Sequence, residues 1–487
     1  MKKYFMYVAF AAASLLTSCS SESLTAGDDP QNPNSEDRVP IEIGVATIPN
    51  AAITRGSGTV GGVENGGTAA NNDGTTTGTP AANIWKGQKV KVFMYDKGTL
   101  NLALDEGNKI YNNTELTTPS ETDALSSGQA KEYLTATTIQ HRYYPLTGNF
   151  DFWGYHIDDA LALAPGAVVD GETTVASTLV DGDTEVQIPF VINGTQDLMV
   201  AKAVPTAADL DALGILGGAD AANRERFYSS FSARKDVQPK LTFKHLLTRL
   251  SFSITGGNAA ACGWNSNTAP AAHTTYNGVF VKSLKIYSKT TGYIVAAYTR
   301  PDMSTDDRYT DPAKLIKFYD TDGNQDGIAD NYLPLELRGT TLAAGNLDPL
   351  YPTDVTDNWE AALEVDGANW AKIIRPTASY SASVYTFDKV PFGSALLVEP
   401  AQTYEMVVEL GQYLLDVEDT SDPTNNTPIV KSSPTPPIVV ALSTPGAYFL
   451  PGHSYNINIT AYGYEEIKIT TTLEPWVYGE EINSVID

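Results

Sequence analysis

A chain of 487 residues with a formal charge of −26 and only 18% charged residues is long enough for two or three domains, so burying a core is not its limiting problem. An excess of carboxylates repels phosphates and offers no basic stripe for counterion release, which excludes nucleic acid as a partner. The acidic surface instead provides solubility and an affinity for cations.

The N-terminus carries an address. MKKYFMYVAFAAASLLTSC sets Lys2 and Lys3 before an apolar run from Tyr4 to Leu16 and closes with Leu16-Thr17-Ser18-Cys19. Its length and flanks are those of a secretory signal and fall short of an ordinary spanning helix. The ending is similar to the lipobox of bacterial lipoproteins, so 1–18 reads as a signal peptide and Cys19 as the acylated first residue of the exported chain. The second cysteine is Cys262. With Cys19 committed to lipid no intrachain disulfide can form, and Cys262 reads as a small residue of a polar loop without a reactive neighbour.

Residues 20–37, rich in Ser, Asp, Asn and Pro, form a flexible tether. Val39, Ile41, Ile43 and Val45 then alternate with Glu42, Gly44 and Ala46, a period of two that predicts a strand. Residues 56–83 are a low-complexity spacer of Gly, Thr, Asn and Ala. This strand therefore stands apart from any core-forming neighbour in sequence.

Alternation resumes at Val90, Val92 and Met94, and further strands are predicted at 149–155, 186–192, 279–287, 437–442, 455–461 and 467–473. These runs are rich in β-branched and aromatic residues and are separated by Gly, Asn, Asp and Pro. Helical periodicity is confined to LTFKHLLTRL (241–250) and DLDALGILGGADAANRERF (209–227). The expected fold class is all-β, two antiparallel β-sandwich domains with few short helices. A break at RKDVQPK puts the boundary near 236–246, with an N-terminal sandwich over 84–240 and a C-terminal one over 241–487.

One loop has the pattern of a cation site. In YDTDGNQDGIADNY (319–332), Asp322, Asn324, Asp326 and Asp330 recur with Gly327 at the turn, and Asp320 adds a further oxygen ligand. Such spacing suits Ca²⁺ and is similar to thrombospondin-type and dockerin-type loops, although Leu333 stands where an EF-hand has its closing acid. A metal-free Asp/Asn/Gly turn between strands explains the same residues. No cofactor is required, and Ca²⁺ enters only as a candidate structural ion.

Catalytic constellations are missing. His141, His156, His245, His273 and His453 are scattered, with no H-E-x-x-H, G-x-S-x-G, C-x-x-C or phosphate-cradling loop. His245 reads as a hydrogen-bonded packing residue. The adjacent Asp158 and Asp159 would point to opposite faces of a strand, which does not suit a glycosidase pair. The chain reads as a non-enzyme.

Several segments in order, ITRG, WKGQKVKVFMYD, HRYYPLTGNFDFWGYH, DLMVAKA, LTFKHLLTRLSFSI and IKITTTLEPWVYGEEI, resemble the fimbrillin family, the donor-strand fimbrial subunits of Gram-negative anaerobes. The likeness spans about residue 41 to 480. It implies two transthyretin-like sandwiches, export as a lipoprotein through Cys19 to the outer membrane and cell surface, and removal of the 39–45 strand by an Arg-specific protease. Arg55 is then the residue before the cut, with Arg38 as second candidate. The long spacer and the calcium-like loop depart from the family pattern.

On this reading the vacated groove is an apolar slot with unpaired edges, open to a strand from another fimbrial subunit. The donor candidate is 477–487, with Ile482, Val485 and Ile486 as its apolar side chains. The alternative is a lipid-anchored tip adhesin or glycan-binding protein that does not polymerise; either form would meet a host glycan or protein ligand.

Overall fold

The computed structural model describes residues 38–45, 89–105, 107–117, 142–157, 168–169, 172–173, 178–180, 184–214, 227–263, 278–299, 308, 311–319, 332–343, 346–349, 374–381, 383–415, 428–432, 438–444, 448–464 and 466–474. The fold is all-β, built from four larger sheets and several small hairpins. The predicted strands form as Lys89–Asp96, Phe150–Ile157, Glu185–Val191, Gly278–Lys289, Ile438–Ser443, Ser454–Ala461 and Ile467–Glu474.

A six-stranded sheet runs in the order Gly44–Val45, Lys240–His245, Leu198–Ala203, Phe150–Ile157, Lys89–Asp96, Thr114–Thr117. Both of its faces are covered, and the period of two sorts the side chains between them. Val90, Val92, Met94, Phe152, Met199, Ala201, Leu241 and Phe243 face one core, which Val39, Ile41, Ile43, Tyr144, Phe227, Tyr228 and Val237 complete. On the other face Phe93, Tyr95, Trp153, Tyr155, Leu198 and Val200 pack on Ile188, Phe190 and Ile294 of a four-stranded sheet.

The second sandwich pairs a four-stranded sheet, ordered Val390–Val398, Thr248–Gly256, Ser454–Ala461, Ile467–Glu474, with a five-stranded sheet centred on Gly278–Lys289 and Thr403–Leu415. Leu250, Ile254, Ile286, Met406, Val408, Phe449 and Ile457 fill the space between. Most ladders are antiparallel as expected. Two are parallel: Gly44–Val45 with Lys240–Leu241, and Thr248–Gly256 with Ser454–Ala461. Parallel neighbours need a long connection, and each pair joins segments about 200 residues apart in the chain.

The chain passes from the first sandwich to the second between Lys240–His245 of one sheet and Thr248–Gly256 of another. The chain later crosses back, because Thr291–Tyr298 pairs with Glu185–Val191 and with Ile316–Phe318. The first sandwich thus borrows strands that follow the first strands of the second.

LTFKHLLTRL is not helical. It forms the end of one strand and the start of the next, Lys240–His245 and Thr248–Gly256. Phe243, Leu246, Leu247 and Leu250 have the i, i+3, i+4, i+7 spacing of a helix face, yet they serve three different cores as the chain passes between sandwiches. Of the second predicted helix, Ala207–Ala212 forms behind a capping box made by Thr206 and Asp209; residues 215–226 lie outside the described residues. Cys262 is buried in the short turn Ala260–Cys262 instead of a polar loop. Burial first and Asp388 second, opposed by Arg375, push its thiol up to about 12, an inert value. His245 packs as expected, its Nδ1 2.6 Å from Asp197 Oδ2 with both side chains buried.

One buried charge cluster makes stability pH-dependent. Burial alone would raise the Asp151 carboxyl, but Lys202 and Lys97, a Lys97 hydrogen bond and the Gly98 N–H together hold it below the usual range. Lys202 also lies over the Trp153 ring, 4.4 Å from its centroid. A depressed native value means that this contribution is complete above the ordinary carboxyl range near pH 3.9 and is lost as pH falls through the lower native value. Asp151→Asn should lose about 3–5 kcal/mol at pH 7 by leaving cations unpaired. It should also lack the acid-side slope of the wild type, as read by urea titrations between pH 7 and 3.

Candidate functional site

The seat of the 39–45 strand is where the sequence signals and the tertiary structure meet. Val39, Ile41 and Ile43 are buried in the first core, and Val45 packs against it half-buried. The alternating burial holds with three side chains rather than four fully inserted, but only Gly44–Val45 is a paired strand, and Pro40 adds a single bridge to Tyr143. The segment is gripped on both sides. Ile41 N donates to Arg142 O at 2.8 Å, and Tyr144 N to Val39 O at 3.0 Å. On the opposite side Gly44 N donates to Pro239 O at 2.9 Å, where Gly44 and Val45 pair with Lys240 and Leu241.

The free energy of this seating is close to balance. Three buried side chains at roughly 1.5–3 kcal/mol each give about 5–9 kcal/mol, and the hydrogen bonds add about 1 kcal/mol each. Ordering the segment costs about 1–2 kcal/mol per residue, or about 7–14 kcal/mol over 39–45.

Burial raises two tyrosine phenols beside the seat. The Tyr144 hydroxyl is buried and, among the described residues, makes no hydrogen bond. Burial, and then Tyr228, Tyr111 and Glu42, push its phenol well above the ordinary tyrosine range. Tyr111 is pushed up to about 12 by burial, against the opposing effect of Arg142, whose guanidinium lies 4.6 Å from the Tyr111 ring centroid.

Arg38, at the head of the strand, is engaged. Its Nη2 donates to Asp105 Oδ1 at 2.7 Å, and its guanidinium lies 5.7 Å from the Tyr143 ring centroid. Gln238 brackets the strand from the other side, its Oε1 3.3 Å from Glu42 N and its Nε2 3.3 Å from Pro40 O. Sequence reading missed Asp105, Arg142, Tyr144 and Gln238. Their only local signal is an unremarkable polar or aromatic residue near a strand end.

Cys19, Arg55, the donor residues Ile482, Val485 and Ile486, and the loop residues Asp320, Asp322, Asn324, Asp326 and Asp330 all lie outside the described residues. Strands flanking that loop belong to different sheets, Ile316–Phe318 to the first sandwich and Tyr332–Glu336 to the second. Among the described residues, no three His, Cys, Asp or Glu side chains gather as metal ligands.

No protein-family model matches the chain, and no curated protein matches it. Among solved structures, a protein assigned to cell adhesion from Bacteroides uniformis is similar at 12% identity over 92% of this chain and 100% of that one, with a TM-score of 0.38. Another from Bacteroides ovatus is similar at 10% identity over 90% and 98%, with a TM-score of 0.31. The tip fimbrial protein of Porphyromonas gingivalis, truncated at its C-terminus, is similar at 9% identity over 80% and 95%, with a TM-score of 0.26. Likeness at these scores carries no functional argument, which rests on the seat.

Proposed function

We propose that the chain is the exported precursor of a surface fimbrial subunit, acylated at Cys19, matured by an Arg-specific protease after Arg55, and assembled by strand exchange at the 39–45 seat. The observation that carries this reading is the seat itself. A short edge segment inserts three apolar side chains into a core that is otherwise built from residues beyond 89. Its removal leaves every other strand of the sheet paired and opens a slot beside Lys240–His245. A cation held between Asp105 and Tyr143 is a poor protease target, because cleavage needs an extended, accessible residue. Arg55, between the strand and a Gly-rich spacer, is the better release point. The loop at 320–330 is proposed as a structural Ca²⁺ site that ties strands of the two sandwiches.

Deleting residues 477–487 tests the assembly. The expected product is a folded, exported and cleaved protein that forms no SDS-resistant oligomers on unheated gels. Loss of thermal stability with this deletion would instead place the tail inside its own sandwich, as in a non-polymerising tip adhesin.

A further inference from the structure

Resting on the strand-exchange reading of the seat, we propose that Gln238 is a main-chain clamp. It holds an extended segment of another copy of this chain by that segment's backbone, so recognition depends on an extended conformation and an apolar pattern and not on one sequence.

The reason lies one residue away. Pro239 has no N–H, so its peptide can accept from Gly44 N but cannot continue the parallel ladder back towards residue 42. One step further back Val237 N is turned away to Ser232 O, and the Gln238 carboxamide, with one acceptor and two donors on a planar unit, engages the main chain of the strand there instead. It accepts from Glu42 N and donates to Pro40 O, each at 3.3 Å. Gln238 is itself half-buried, and its chain neighbours Val237 and Pro239 are buried.

The rest of the seat follows the same logic. Among the described residues, the hydrogen bonds of 39–45 to Arg142, Tyr144, Pro239 and Gln238 all use main-chain atoms of the strand. Its side chains contribute apolar burial through Val39, Ile41 and Ile43. Any strand with apolar residues at alternate positions meets both demands.

A single-atom change in the bound segment tests the clamp. The full-length precursor is cleaved after Arg55, and labelled peptides of residues 38–45 are titrated in competition with the released fragment. One peptide is all-amide; the other has an ester in place of the Ile41–Glu42 amide, which deletes the Glu42 N–H. The ester should weaken binding about fivefold in the wild type, the worth of one net hydrogen bond, and add no loss in Gln238→Leu, which loses two such bonds and should bind the all-amide peptide about 25-fold more weakly. Gln238→Glu keeps the size and the acceptor, so there the ester should retain its cost even if Gln238→Leu fails to fold. An equal ester effect in wild type and Gln238→Leu, or none in the wild type, overturns the clamp. Peptide 477–487 runs in parallel. If the wild type ignores it while the 38–45 peptides show the ester effect, the clamp stands for the chain's own strand, and exchange with that tail is overturned.

Discussion

The Arg55→Ala protein should be exported and acylated as the wild type is expected to be, but remain monomeric. The wild type should lose residues 1–55, begin at Gly56 and form SDS-resistant oligomers when the protease is present. The reason is kinetic as well as steric. As long as 39–45 is tied to the chain, it occupies its seat at high effective concentration, and an incoming strand competes against an intramolecular rival. Cutting after Arg55 removes that advantage from a strand whose seating is near balance. Arg38→Ala should leave processing intact, because Arg38 is held by Asp105, and should only loosen the head of the strand. N-terminal sequencing of surface protein and unheated gels read both outcomes. Equal polymerisation by Arg55→Ala and wild type removes Arg55 from the scheme.

Ile43→Asp should release the strand without any cut. Ile43 is 2% exposed in the first core, and losing a buried Ile of this kind costs about 2–5 kcal/mol even when an apolar Ala replaces it. A carboxylate there adds an unpaired buried charge, which the chain avoids by withdrawing the segment. The expected result is protease sensitivity at 38–45 and multimers in the Ile43→Asp, Arg55→Ala double variant, where the cut is blocked. Ile43→Val, at about 0.5–1.5 kcal/mol, should keep the strand seated. A folded, monomeric double variant would mean that the seat is not where subunits join.

Much of this molecule can be read locally. Alternation at Val90, Val92 and Met94, or at Ile457 and Ile459, survives into the structure because each strand presents one face to one core. The same period marked Val39, Ile41 and Ile43 as a strand that buries one side. Local pattern failed at LTFKHLLTRL, whose leucines imitate a helix face while serving separate cores. Periodicity records which residues are buried, and it does not record against what.

The seat itself was decided by tertiary structure. Arg38 meets Asp105 across 67 positions, and Gln238 meets Glu42 and Pro40 across nearly 200. Polar contacts at such separations depend on how the sheet brings distant edges together, and leave no spacing rule in the chain. By itself the sequence determined that residues 39–45 would be extended with an apolar side; of these, Gly44–Val45 pairs as a strand. Only the fold decided that this strand lies at a sheet edge, parallel to Lys240–Leu241, with the side-chain amide of Gln238 on its main chain where the ladder stops.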